Sequence, residues 1–131
     1  MQYTETTDGI KISVQPVYNS GQSQPGEGLY TWSYFIKIEN LSEDTVQLLN
    51  RYWHITDALG RVQEVRGPGV VGYQPVLKKG ECFEYNSGTH LDTPSGIMQG
   101  LYEMQRDDGL IFSIKIPAFS LDSPGQIARP N

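Results

Sequence analysis

Gly67, Gly69 and Gly72, in the stretch RGPGVVGYQP, stand behind Arg66 in the spacing GxGxxG. Where that spacing closes a strand and opens a helix, backbone N–H groups and the helix dipole together meet a pyrophosphate. A helix of useful length is excluded here, because Pro75, the Lys78-Lys79-Gly80 turn and the alternating ECFEY follow at once. A kinase-type glycine-rich loop joins two antiparallel strands and is nearer in form, but the chain lacks both the length and the downstream lysine and aspartate motifs of that fold. Two readings stay open. In one, successive amides around Gly67, Gly69 and Gly72 form an anion nest edged by Arg66 and by Lys78 or Lys79, with Pro68 removing one donor. In the other, the glycines let the chain turn and lie close to neighbouring backbone.

Elsewhere NSGTHLD places Ser87, His90 and Asp92 close together, superficially the parts of a hydrolytic triad. Triad members normally come from separate elements and a nucleophile elbow needs GxSxG, so Ser87, Gly88 and Thr89 read as turn residues. His90 and Asp92 share one face of an extended chain, and His54 lies just before Asp57. His54, His90 and Asp92 are therefore the candidate ligands of a divalent transition ion, against the alternative of a surface histidine beside a turn aspartate. The lone Cys82 can form no internal disulfide and reads as a small apolar filler in a strand. With no catalytic set, the expectation is a non-enzymatic protein that needs no cofactor.

These residues sit in a chain of alternating character. Tyr30, Trp32, Tyr34, Ile36 and Ile38 face one way in YTWSYFIKI, which leaves Phe35 on the opposite face. A second layer or a partner chain must cover Phe35, so a homodimer through that sheet face is one expectation. Ile10, Ile12 and Val14 alternate likewise, before Pro16 restricts pairing to an edge or a bulge. In LLNRYWHIT the same rule puts Leu49, Trp53 and Ile55 inward with Arg51 on their side. SGQSQPGEG reads as a mobile loop, DALG as a hairpin connection closed by Gly60, YQPVL and ECFEY as a pair about Lys78-Lys79-Gly80, and RDDG as a tight primed turn.

Short strands, regular turns and no stretch of helical period predict an all-β protein, an antiparallel sandwich of immunoglobulin or fibronectin type III kind, as one domain over 1–131. Its core is expected over about 10–121, with 122–131 a flexible tail. Ten basic against fifteen acidic residues, a net charge of −5, argue against nucleic acid and anionic membranes as partners. No apolar run approaches the roughly 18 residues of a membrane span, and a lone cysteine behind the unremarkable N-terminus MQYTETTDG suits the cytoplasm.

From Asn50 to Met104, including GPGVVGYQP and YNSGTHL, the chain closely resembles the ApaG family, also called CorD; YTWSYFIKIEN and IPAFSL fit as well. The resemblance runs from about Val14 to Leu121. It implies an immunoglobulin/fibronectin-like sandwich in the free-standing bacterial form, linked to cobalt resistance and magnesium efflux. Members are often encoded beside a dinucleoside tetraphosphate hydrolase and a ribosomal RNA methyltransferase, and similar domains occur in eukaryotic F-box and polymerase-interacting proteins. The glycine motif, here Gly67, Gly69 and Gly72, is discussed in the family as a pyrophosphate-binding element. No catalytic residue transfers. The leading expectation is a binding module that presents the Gly67–Gly72 loop and nearby strand surface to a protein or a small anionic ligand. The alternatives are a metal-responsive protein and one that senses or hydrolyses dinucleoside polyphosphates.

Overall fold

Alternation of apolar and polar side chains becomes, in the computed structural model, two facing antiparallel sheets; the structure describes residues 1–124. The strands are β1 (Tyr3–Thr7), β2 (Ile10–Tyr18), β3 (Tyr30–Asn40), β4 (Val46–Asp57), β5 (Val62–Pro68), β6 (Val76–Leu77), β7 (Cys82–Leu91), β8 (Ser95–Arg106) and β9 (Ile111–Asp122). One sheet runs β1-β2-β3-β7; the other runs β5-β4-β8-β9, with the short β6 paired to the start of β4. This is the all-β, immunoglobulin/fibronectin-like sandwich that the alternation predicts. Among the described residues no helix is long and apolar enough to cross a membrane.

Ile10, Ile12 and Val14 of β2 and Trp32, Tyr34, Ile36 and Ile38 of β3 are buried against Trp53, Met98, Ile114 and Phe119 of the second sheet. Trp53 meets Tyr34 edge-on at 5.3 Å between centroids and Phe119 at 6.1 Å, so these two aromatic contacts tie three strands together. Opposite Trp53 the β8 residue is Gly100, where a Cβ would lie 2.1 Å from the Tyr52 carbonyl oxygen and 3.0 Å from the indole ring. β1 and β2 pack against β9 and close one side of the sandwich, while β5 and β7 border the other.

Several expectations change in detail. β4 carries an extra residue at Leu49 relative to β8, so Leu48, not Leu49, is fully buried together with Trp53 and Ile55. The stretch read as a turn at Ser87-Gly88-Thr89 is the middle of β7, paired residue for residue with β3. Cys82 is exposed on that strand, not an apolar filler. YQPVL contributes only the two-residue β6, because Pro75 ends any longer ladder. The Arg106–Leu110 connection is a three-residue loop with Gly109 at φ 94°, not a two-residue primed turn. The 20–28 segment is held by a Gln24–Leu29 bridge and a short 3-10 turn at Pro25–Glu27, with Ser23 and Asn19 bonded to β3 residues. Tyr3–Thr7, missed in sequence, pairs with β2 across an Asp8-Gly9 turn. At the far end β9 continues to Asp122 and the Ser123 N–H donates to the Pro94 carbonyl; residues 125–131 of the expected tail lie outside the described residues.

Replacing Gly100 by Ala forces the Tyr52 strand and the Trp53 ring apart. The expected loss is about 2 kcal/mol or more, read as a lower urea midpoint with an unchanged slope.

Candidate functional site

The glycine motif begins in β5 and ends in a turn that hangs from β4. Gly69 donates its N–H to the Leu49 carbonyl at 2.8 Å, and the Gln74 side chain donates to the same oxygen at 2.9 Å. Leu49 is the extra residue of β4, so the irregularity that resets the strand also frees a carbonyl to hold the loop. Val70 is fully buried and exchanges two backbone bonds of 2.8 Å with Tyr73, closing a two-residue turn around Val71 and Gly72. Both residues have positive φ, 43° and 87°, the geometry of a type I′ turn. The Asp8-Gly9 turn has the same signs, 50° and 79°, but aspartate tolerates the left-handed region and a β-branched valine does not.

Arg51 explains the first half of the motif. Its Nη1 donates to the carbonyls of Pro68 and Gly69, each at 2.9 Å, and its guanidinium lies flat beneath Gly67. A Cβ on Gly67 would stand 3.0 Å from Nη2 and 3.1 Å from Cζ. Gly69, at φ 62°, would put a Cβ 2.3 Å from the Tyr73 carbonyl oxygen. Gly72 opens on empty space, and only its φ of 87° demands glycine. Each glycine thus has a reason within the chain. Gly69, Val70 and Tyr73 already donate their N–H groups to protein carbonyls, and Pro68 has none to give.

On the core side, Arg51 faces Tyr34, Tyr85 and Tyr102, the last fully buried. The Tyr85 and Tyr102 hydroxyls bond to each other. Burial raises the ionisation of all three phenols above the ordinary range, and the positive charge of Arg51 offsets part of that rise. None of the ion pairs among the described residues includes Arg51.

The other expected site residues are dispersed. Arg66 points to the outer face of its sheet, its guanidinium 4.7 Å from the centre of the Tyr52 ring and 3.5 Å from Glu64, and does not fold over the loop. The Tyr52 hydroxyl donates to Glu64 at 2.6 Å and is the main cause of a lowered Glu64 pKa. Lys79 is engaged by Glu43 at 2.7 Å. His54 lies on that same outer face, beside Glu64 in the ladder, with its Nδ1 buried and unpartnered. His90 is exposed on the outer face of the opposite sheet, so the expected His54, His90 and Asp92 set is not brought together. Asp57, which shares a shallow groove with His90 and Asp92, accepts from Arg61 Nε at 2.7 Å. Among the described residues no three His, Cys, Asp or Glu side chains cluster to hold a metal. Ser87 faces inward toward Tyr34 while His90 faces out, so they form no relay. The residue that sequence reasoning underrated is Arg51; its place on the apolar side of β4 was the available signal.

The facing sheets and the glycine loop anchored at their rim define a small all-β sandwich domain. The ApaG domain model matches residues 20–106. Protein ApaG of Paramagnetospirillum magneticum is 57% identical over 98% of this chain and 99% of its own length, and Protein ApaG of Rhodospirillum centenum has the same identity and coverage. A crystal structure described as an ApaA protein from Bordetella pertussis superposes with a TM-score of 0.86 at 44% identity, covering 88% of this chain and 94% of that one. The chain belongs to the ApaG family.

Two outcomes follow from the geometry. Alanine at Gly69 is expected to cost most, several kcal/mol, because a backbone oxygen blocks its Cβ; alanine at Gly67 should cost less, by displacing Arg51, and alanine at Gly72 about 1 kcal/mol from its φ alone. Urea unfolding of the three variants checks that order. The phenols have higher pKa values folded than unfolded, so their contribution to stability is complete below the unfolded tyrosine value of about 10 and falls as pH rises past it. Denaturation midpoints should hold to about pH 9 and decline above about 10, with tyrosinate absorbance appearing as the chain unfolds.

Proposed function

We propose that this protein is a non-enzymatic, cytoplasmic interaction module whose recognition element is the tip of the glycine loop, offered to a protein partner. The observation that carries the reading is Val71: a β-branched residue held at φ 43° with 51% of its surface exposed. Strain of about 1 kcal/mol or more at a surface position has no folding benefit, and an asparagine or glycine would close the same turn without it. Tyr73 is 61% exposed beside it, with its ring 5.8 Å from that of Phe83. Large side chains on a rigid turn lose little entropy on binding, which favours recognition by contact. We read the link to cobalt resistance and magnesium efflux that the family resemblance carries as indirect, acting through such a partner.

A second reading, an anion or pyrophosphate site using Arg66, Gly67, Gly69 and Gly72, draws on the outward amides of Val71 and Gly72 and would extend to dinucleoside polyphosphates. One pair of measurements separates the two. A photo-crosslinking residue at Tyr73 should trap a discrete protein in cells, whereas the same residue at Lys115 on the opposite side should not, and Val71→Asp should abolish the product. Val71→Asn should raise stability by about 1 kcal/mol while weakening capture. Absence of any Tyr73-specific product, with saturable shifts of the Val71 and Gly72 amides on adding pyrophosphate, would replace the first reading by the second.

A further inference from the structure

β7 ends its sheet with nothing paired beyond it among the described residues. It is ten residues long, contains neither proline nor lysine, and pairs with β3 without a bulge. The other edges are blunted. β1 has only five residues, β9 is covered by β1 and its Lys115 N–H donates to Thr7 Oγ1, and β5 carries Glu64 and Arg66 and stops at Pro68. A long, regular edge whose one formal charge is Glu84 is the feature that natural sheets otherwise avoid.

The free backbone groups can be assigned. Asn40 donates to the Glu81 carbonyl, whereas Asn19 donates to the Thr31 carbonyl on the other side of β3. Antiparallel ladders alternate, so odd-numbered residues of β7 bond toward β3 and the N–H and C=O groups of Cys82, Glu84, Asn86, Gly88 and His90 point to the open edge. The side chains of these same residues are exposed on the outer face of the sheet.

We propose that this edge pairs with a second copy of the chain, the two β7 strands running antiparallel about a twofold axis at Ser87. Directly opposed residues in a continuous sheet share a face, so even positions must meet even positions. Centred on Ser87, Glu84 faces the partner's His90, and by symmetry the contact occurs twice, a carboxylate against an imidazole N–H. Asn86 meets the partner's Gly88, which leaves room for the amide, and on the inner face Tyr85 meets the partner's Thr89. Centred on Asn86 instead, Glu84 would face a glycine and His90 the partner's thiol, with no complementary pair. The dimer differs from one through the Phe35 face; the glycine loop borders this edge, since the Tyr73 ring lies 5.8 Å from that of Phe83 on the inner side of β7.

Sedimentation across micromolar to millimolar protein, combined with amide hydrogen exchange, tests it. A concentration-dependent dimer is expected, in which the amides of Glu84, Asn86, Gly88 and His90 gain tenfold or more protection while those of Phe83, Tyr85 and Ser87 are protected throughout. Asn86→Pro removes one outward donor without touching the β3 ladder and should give a monomer. Independently, Glu84→Lys should weaken association several-fold, and exchanging the pair as Glu84→His with His90→Glu should restore it. A monomer at every concentration, or a dimer whose protection changes map to the Phe35 face and leave the β7 amides exchanging freely, would overturn the proposal.

Discussion

A single surplus residue in β4 sets the terms for the site. Strands keep their faces by counting in twos, and a chain that must bury Leu48 as well as Trp53 and Ile55 cannot do so while counting evenly. Leu49 absorbs the difference. Its displacement turns a carbonyl out of the β8 ladder, and that carbonyl receives both the Gly69 amide and the Gln74 side chain. The same shift keeps Arg51 on the inner face, where its guanidinium reaches under the loop. Core register and loop position are thus settled by one event.

Arg51 is an unusual choice for that position. Removing a guanidinium from water is costly unless its donors are satisfied; Arg51 is only half-buried, and two loop carbonyls take the donors of its Nη1 in place of a carboxylate. The neighbouring phenols of Tyr34, Tyr85 and Tyr102 form a weakly polar lining that accommodates the charge without neutralising it. A carboxylate partner would bind more strongly, yet it would draw the guanidinium off the loop. Carbonyl ligation fixes the loop in place because the ligands belong to the loop itself.

Much of this was legible in the sequence, and the failures have physical causes. The faces of β2 and β3 follow from period-two alternation, and Pro75 correctly excluded a helix after the glycines. Leu49 misled because a bulge has no local signature among residues of similar hydrophobicity. Ser87-Gly88-Thr89 has turn composition, but Gly88 is extended there, beside the Trp32 carbonyl, where a Cβ would come within 3.2 Å. Tyr3–Thr7 was overlooked although Asp8-Gly9 is a strong hairpin signal, since its threonines and glutamate offer little apolar contrast. For the site, the glycine spacing was visible and its purpose was not. Arg51 is sixteen residues upstream of Gly67, and only the β4–β5 ladder makes them neighbours.

The turn at Val71 and Gly72 is closed by its own pair of backbone bonds, one residue beyond the point where Val70 plugs into the core. Everything that fixes the loop lies on the near side of that closure. The tip is therefore a replaceable cap: a longer segment spliced between Val70 and Tyr73 would meet open solvent, and its loop-closure cost grows only slowly with length. In this respect the domain offers what an antibody framework offers its variable loops, a rigid socket whose stability is largely independent of what it carries.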